Sequence, residues 1–422
     1  TMTDRMILGE DAIFSTESEL TGTNNNAIIV GSSGCGKTMS FIEPRLLDTE
    51  KSSLVVTVTK RRLVQKYKPM FKAKGYKVYD LDFVHPSSAD IAYDPLAYVT
   101  SYADVRFLAD SIVKANPRKD QSHADSYWDE STSSLLCALI FYTLTTKENP
   151  TFADVLELND RITLKGGTDM DGFSLDSEFD ALERKVPNHP AVTCWKTFRS
   201  TPPRTAGCIF SSLNCELDSI FTSDIREMIS KKPTVDIERI AKERSVLFIT
   251  SSPVNAALHQ FIGTFYVCLF KTLFEFAEEC PGGTLPIPVH VLCDDFATGC
   301  RVNQFEDLIS IFREKQISAT ILVQSESQLE TMYCSDATTT IINNSDTYVY
   351  AGGNDLRTAR NISERLNVPL DEVLYMPVGQ VIIFRRGQKP IAFRQRYDIL
   401  HDKRYQKVTM QYEKMIASDD DR

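Results

Sequence analysis

Residues 27–38 read Ala-Ile-Ile-Val-Gly-Ser-Ser-Gly-Cys-Gly-Lys-Thr, and this stretch decides the fold. Ala27–Val30 is a short apolar run typical of a buried strand, and Thr38 opens a run with helical spacing that extends to Leu47. A strand, a glycine-rich loop of the form GxxxxGKT and a helix, in that order, make a phosphate-binding loop. The pattern therefore predicts a P-loop nucleotide-binding protein.

The residue types in this loop match the chemistry of phosphate binding. Glycines let backbone N–H groups approach the phosphate oxygens, Lys37 carries a charge to the β- and γ-phosphates, and the Thr38 hydroxyl is a ligand for Mg²⁺. A chance glycine-rich turn is the alternative, and the flanking strand and helix argue against it. The residues predicted to bind ATP are Gly31, Ser32, Ser33, Gly34, Cys35, Gly36, Lys37 and Thr38.

A second motif supplies an acidic pair. Val289–Cys293 is an apolar run followed directly by Asp294 and Asp295, as in a Walker B strand. We expect Asp294 to hold Mg²⁺ together with Thr38, and Asp295 to polarise the attacking water. Acids at a strand end are commonly just solvated, so this interpretation depends on the P-loop in the same chain. Asp295 is one methylene shorter than the Glu often found at this position, which puts its reach to the water in question.

The order of apolar runs predicts an α/β fold with an inserted all-α domain. Strand signals at 54–58 and 77–81 flank a helical pattern, and further strand signals return after residue 245. Between 104 and 221 the periodicity is almost entirely helical. Lys37 and Asp294 are separated by far more than the ~30 residues of a βαβ unit, which fits an insertion. We expect a nucleotide-binding domain at 1–103 and 222–422, and an all-α domain at 104–221.

The amino-acid composition limits which classes of protein and of function are compatible with the sequence. The 422 residues are 42% hydrophobic and 25% charged, typical of a globular chain of about two domains. The ten cysteines are scattered without a CxxC pair, which favours reduced thiols over a disulfide framework or zinc site. A net charge of -10 restricts any nucleic-acid contact to local basic patches. No apolar run of ~20 residues and no signal peptide is visible, so we expect a soluble portion.

Two polar residues in or near the predicted strand 319–324 are further candidates for roles in the nucleotide site. Gln324 ends that strand and is expected to face the nucleotide crevice, with an ordinary strand-end residue as the alternative. Arg313 lies in the preceding helix, where it is either a solvated side chain or an arginine finger for a neighbouring site. The tail after about Asp402 ends in the acidic stretch 418–422, Ser-Asp-Asp-Asp-Arg, which we expect to be frayed.

In their order and spacing, these motifs resemble the type IV secretion coupling proteins of the TraG/TraD class. Tyr93-Asp94-Pro95-Leu96 is similar to the family's N-P-L signature, and Asp294-Asp295-Phe296-Ala297 to its D-E-F-A Walker B motif. Gln324-Ser325 with Gln328-Leu329 is similar to its Q-S-x-x-Q-L motif. The remaining matches are residues 7–10, 21–26, 127–139 and 343–355.

The resemblance implies a RecA-like core with an all-α substrate-recognition domain, assembled as a homo-hexamer on the cytoplasmic face of the bacterial inner membrane. It implies Mg²⁺-dependent ATP hydrolysis that moves single-stranded DNA with its attached relaxase into a type IV secretion channel. The family's arginine finger falls on Arg313 and its glutamine on Gln324. The catalytic set is then Lys37, Asp294, Asp295, Arg313 and Gln324. Family members usually carry an N-terminal membrane hairpin, and a fragment without it is compatible with a monomer.

One departure from the family leaves a question open. The family's D-P-K-G-E segment is replaced by residues 58–62, where Lys60, Arg61 and Arg62 either bind DNA phosphates in a ring channel or form a solvated charge cluster. Two other functions also remain. The first is a related secretion or DNA-pumping ATPase, and the second is a nucleotide-gated substrate receptor with little hydrolysis.

Overall fold

The structure is a computed structural model that describes residues 4–113, 123–165, 172–252, 254–294, 296 and 301–420. The chain divides into two compact units. The first unit comprises Thr1–Val84, Asp236–Pro253 and Leu269–Arg422, and the second comprises His85–Val235 and Val254–Cys268.

Among the described residues, the first unit is built on a sheet of nine strands. The chain's strands are β1 (Arg5–Gly9), β2 (Ala12–Ser15), β3 (Ala27–Val30), β4 (Ser53–Val58), β5 (Lys77–Asp82), β6 (Leu164–Lys165), β7 (Gly172–Phe173), β8 (Ser245–Thr250), β9 (Val289–Cys293), β10 (Ile317–Val323), β11 (Thr347–Tyr350), β12 (Gln380–Arg385) and β13 (Ile391–Gln395). The sheet order is β13-β12-β11-β3-β10-β9-β4-β8-β5. All pairs from β11 to β5 are parallel, while β12 and β13 close one edge as antiparallel strands.

The helices follow from the same alternation of patterns. They are α1 (Ser18–Thr21), α2 (Glu43–Leu47), α3 (Arg61–Ala73), α4 (Tyr102–Val113), α5 (His123–Thr146), α6 (Phe152–Asp160), α7 (Asp176–Lys185), α8 (Pro190–Arg199), α9 (Pro203–Ile220), α10 (Ser223–Lys231), α11 (Ile237–Lys242), α12 (Ala256–Glu279), α13 (Phe305–Lys315), α14 (Glu326–Asn343), α15 (Leu356–Leu366), α16 (Leu370–Leu374) and α17 (Lys403–Asp420). A π-helical turn at Thr38–Ile42 precedes α2.

The central strands are buried on both faces. Every residue of β4, β8 and β10 is buried, which is why these strands appear in the sequence as nearly continuous apolar runs instead of alternating patterns. The strands predicted from such runs are all present, with ends that shift by one or two residues. The mixed α/β fold with a parallel central sheet is confirmed.

The second unit includes more of the sequence than the stretch 104–221 whose periodicity is helical. Backbone hydrogen bonds of 2.9 Å tie Ala92 to Pro233 and to Val235, so the segments before 104 and after 221 pair with each other. The unit also contains the short antiparallel pair β6–β7 beside its helices. The expected boundaries at 104 and 221 therefore lie inside one compact unit, and an all-α domain with those limits stays a prediction.

One helix among the described residues, Ala257–Glu279, is long and apolar enough to cross a membrane. Its most apolar window is 67% buried in the fold, as in the core helix of a globular unit. Length and composition alone therefore do not make it a membrane span.

Most of the tail after Asp402 is helical: residues 403–420 form α17, which packs on α3 and buries Val408 to 5% exposure. The expectation that the acidic end 418–422 is frayed stays a prediction. The Lys66 ammonium lies 3.6 Å from the centre of the Tyr405 ring, and Arg404 makes an ion pair of 2.9 Å with Asp48. The segment is held by tertiary contacts that its charged composition does not reveal.

Candidate nucleotide-binding site

The glycine-rich loop leaves β3 at the carboxyl end of the sheet and is fixed on both sides. The Gly31 N–H donates to the carbonyl of Val323 at 3.1 Å, and the Ser32 N–H donates to that of Gly352 at 2.9 Å. These acceptors follow from the sheet order, because β3 lies between β10 and β11. Gly36 has a φ of +83°, a left-handed conformation that glycine adopts without steric cost.

The lysine and threonine of the loop face inward. Lys37 is 7% exposed, and its Nζ donates to the carbonyl of Gly31 at 2.5 Å and to that of Ser32 at 3.1 Å. The Thr38 Oγ1 donates to the Asp294 Oδ2 at 2.8 Å. A buried ammonium thus lies inside the loop, beside a hydroxyl and a carboxylate that touch each other.

Asp294 reaches this position because of the strand order. It directly follows β9, which is separated from β3 only by β10, so the carboxyl ends of β3 and β9 share one edge of the sheet. Its N–H donates to the carbonyl of Thr57 at 3.2 Å, and its side chain is mostly buried. A carboxylate and a hydroxyl oxygen at hydrogen-bond distance are the hard ligands that Mg²⁺ takes. The donor set therefore fits this metal.

The other predicted catalytic residues are placed differently. Gln324 follows β10 directly, next to the Val323 carbonyl that holds Gly31, and its N–H donates to the Gln328 Oε1 at 3.0 Å. It lies at the same edge as the loop. Asp295 lies outside the described residues.

Arg313 is exposed and lies in the last turn of α13, just before β10 begins. The amino end of a parallel strand is opposite its carboxyl end, so Arg313 is at the sheet edge away from the loop. The structure does not bring it to this chain's own site. An arginine-finger role, which would act on a neighbouring chain, stays a prediction.

The three basic residues 60–62 do not form one phosphate-binding patch. The Arg61 guanidinium makes two hydrogen bonds with Asp80, of 2.5 and 2.7 Å, and an ion pair of 3.2 Å with Asp82. Both carboxylates are fully buried, so Arg61 is part of the fold. Lys60 and Arg62 are exposed. For these two residues, both alternatives remain: they bind DNA phosphates or are solvated charges.

One residue beside the loop was missed by sequence reasoning. The Arg396 Nη1, just beyond β13, donates to the carbonyl of Cys35 at 3.0 Å. No motif marks this arginine, because more than 350 positions separate it from the loop. Only the assembled edge β11–β12–β13 brings the two together.

A phosphate loop joined to an acidic strand end on a largely parallel sheet defines the class: this is a RecA-like P-loop NTPase fold. A chain of TrwB, a plasmid coupling protein solved with the ATP analogue ADPNP, has 14% identity and a TM-score of 0.59, covering 88% of this chain and 86% of that one. VirB4 of Thermoanaerobacter pseudethanolicus has 11% identity and a TM-score of 0.60, covering 94% and 98%. At such identities the likeness shows the fold.

The family is established by sequence. The model of the family "Type IV secretory system Conjugative DNA transfer" matches residues 3–367, and the chain belongs to this family. The family places the chain in conjugative DNA transfer by a type IV secretory system. No curated protein sequence matches the chain.

Proposed function

We propose that this chain is an ATP-driven coupling protein that recruits a relaxase with its single-stranded DNA and delivers both to a type IV secretion channel. The observation that carries the proposal is the 2.8 Å hydrogen bond between Thr38 and Asp294. It joins the phosphate loop to the acidic strand end, and a nucleotide-dependent motor needs both for Mg²⁺-nucleotide binding.

Each residue of the site has a role in this proposal. Bound Mg²⁺ would neutralise phosphate charge, and Thr38 with Asp294 would hold it. Lys37 carries its ammonium to the β- and γ-phosphates, and the backbone N–H groups of the loop bind their oxygens. The solved structures of TrwB include complexes with ADPNP and with ADP and Mg²⁺, which supports the same ligands here.

Hydrolysis needs groups beyond the cradle. Gln324 lies at the loop's edge of the sheet, where its amide would sense the γ-phosphate, and Asp295 would polarise the attacking water. Arg313, at the opposite edge, would complete the site of the next chain in a ring. This division of the site between chains is the reason to propose a homo-hexamer, since an isolated chain lacks the finger.

The second unit is proposed to recognise the protein cargo. A deletion of 104–221 is a poor test, because it removes Phe221, whose ring lies 5.0 Å from that of Phe261 inside the unit. Hydrogen–deuterium exchange of the whole chain with a relaxase–DNA conjugate avoids this damage. New protection within 85–235 supports the proposal, whereas protection confined to the first unit contradicts it.

We place this activity at the cytoplasmic face of the bacterial inner membrane, where a coupling protein meets the secretion channel. The family match supports a role in conjugative transfer. The deciding assay is steady-state ATP turnover with and without single-stranded DNA, with Lys37→Ala as the control. Turnover stimulated by DNA and abolished in the variant supports the motor. ATP binding without turnover, even in the presence of single-stranded DNA, instead supports the nucleotide-gated receptor.

A further inference from the structure

The terminal hairpin of the sheet contacts the phosphate loop through Arg396. The Arg396 N–H donates to the Gly379 carbonyl at 2.8 Å, which extends the pairing of β12 and β13 by one residue and fixes the backbone of Arg396. Its guanidinium Nη1 then donates to the Cys35 carbonyl at 3.0 Å. The side chain bridges the sheet edge and the loop.

This bridge is possible because the loop extends along the sheet, over the end of β11 and towards the hairpin. Neighbouring strands are about 4.8 Å apart, so β13 lies roughly 14 Å along the sheet from β3. The Ser32 N–H bond to the Gly352 carbonyl carries the loop over the end of β11, towards the hairpin. The approach is close at Gly36, where a Cβ atom would lie 2.4 Å from the Arg396 Nη1.

The contact controls one peptide plane of the cradle. In a trans peptide the C=O of Cys35 and the N–H of Gly36 point in opposite directions. With the carbonyl held towards Arg396, the Gly36 N–H is directed to the other side of the loop. A rotation of this plane would replace a donor by an acceptor, which repels phosphate. Glycine offers little resistance to such a rotation, since its backbone accepts both signs of φ.

The positive charge of Arg396 is not neutralised by any carboxylate among the described residues. Among the residues that the structure describes, no carboxylate forms an ion pair with its guanidinium, and the side chain is exposed. By contrast, Arg61 and Arg404 in the same unit are paired with buried carboxylates. A hydrogen bond from a charged donor is stronger than a neutral one and suits a contact that must hold a loop carbonyl in place.

We propose that Arg396 is a positioning residue for nucleotide binding, which keeps the Gly36 N–H directed into the phosphate cradle. The proposal rests on the proposed function, because it assigns a further residue to the same nucleotide site. It also ties the outermost hairpin of the sheet to the affinity for nucleotide.

The test is titration of the whole chain with fluorescent mant-ADP and Mg²⁺ for the wild type and five variants. Arg396→Ala should weaken binding about tenfold, by loss of a charge-assisted hydrogen bond. Arg396→Lys, which retains a charged donor, should stay within about threefold of the wild type. Arg394→Ala is the matched control, because it removes the same side chain two residues earlier in β13.

Two further measurements separate the possible failures. The melting temperature without nucleotide should be equal for wild type, Arg396→Ala and Arg396→Lys, since the hydrogen bond from Arg396 to the loop is exposed to solvent. Lys37→Ala should abolish binding, and Gly36→Ala should weaken it more than Arg396→Ala does, because it adds backbone strain at a φ of +83°. If Arg396→Ala binds like Arg394→Ala, or if Arg396→Lys loses as much as Arg396→Ala, the positioning role is overturned. If the wild type itself does not bind mant-ADP, it is the proposed function that fails.

Discussion

Replacement of Arg61 by alanine tests how the fold uses the basic cluster after β4. The substitution leaves Asp80 and Asp82, both fully buried, without the guanidinium that contacts them at 2.5 and 3.2 Å. Breaking a buried ion pair by removal of one partner costs about 3–5 kcal/mol. Arg61 is 25% exposed and Lys68 still lies 3.3 Å from Asp80, which lowers our expectation to about 2–3 kcal/mol.

The assay is thermal unfolding followed by calorimetry, which can separate transitions of the two units. At roughly 2–4 °C per kcal/mol for a domain of this size, Arg61→Ala should lower the first unit's melting temperature by about 4–12 °C. Arg62→Ala is the control, because Arg62 is the adjacent exposed arginine and should change stability by less than ~0.5 kcal/mol. Equal melting temperatures for the two variants would refute the structural role of Arg61.

Three further predictions concern the site and the second unit. Asp294→Asn should weaken binding of mant-ADP about tenfold with Mg²⁺ but less than twofold in EDTA, because its carboxylate is proposed to act through the metal; equal losses in both conditions would contradict this role. Gln324→Ala should lower ATP turnover about ten- to hundredfold with ATP binding within twofold, and a loss of binding instead would place Gln324 in the cradle. Burial raises the pKa of Asp94 from 3.8 to about 6, so its contribution to stability is fully present below pH 3.8 and is lost as the pH rises through 6. Asp94→Asn keeps the Oδ1 acceptor for the N–H groups of Leu96 and Phe152 and should remove this dependence, which unfolding curves between pH 4 and 7 will show.

The sheet and its phosphate loop were predictable because local sequence specifies them. Fully buried parallel strands such as β4 and β10 have few polar residues to confuse the pattern. The loop needs glycine, lysine and threonine at fixed spacing, which leaves a signature. The meeting of Thr38 with Asp294 also follows, since the carboxyl ends of parallel strands share one edge.

What could not be predicted depends on contacts between distant segments. In the sequence, the residues of α17 look like a charged tail. Their packing on α3, which involves Tyr405 and Val408, becomes visible only in the folded chain. Arg61 looked like a free cation because its partners on β5 are identified only once the sheet is assembled. Arg396 contacts Cys35 only once β11, β12 and β13 are assembled and the loop extends over the end of β11.

The most direct test of the central claim is isothermal titration of the whole chain with Mg²⁺ and a non-hydrolysable ATP analogue. Our account predicts one nucleotide bound per chain by the wild type, and no detectable binding by Lys37→Ala with an unchanged melting temperature. Equal binding by the wild type and by Lys37→Ala, or no binding by a folded wild type, would contradict it.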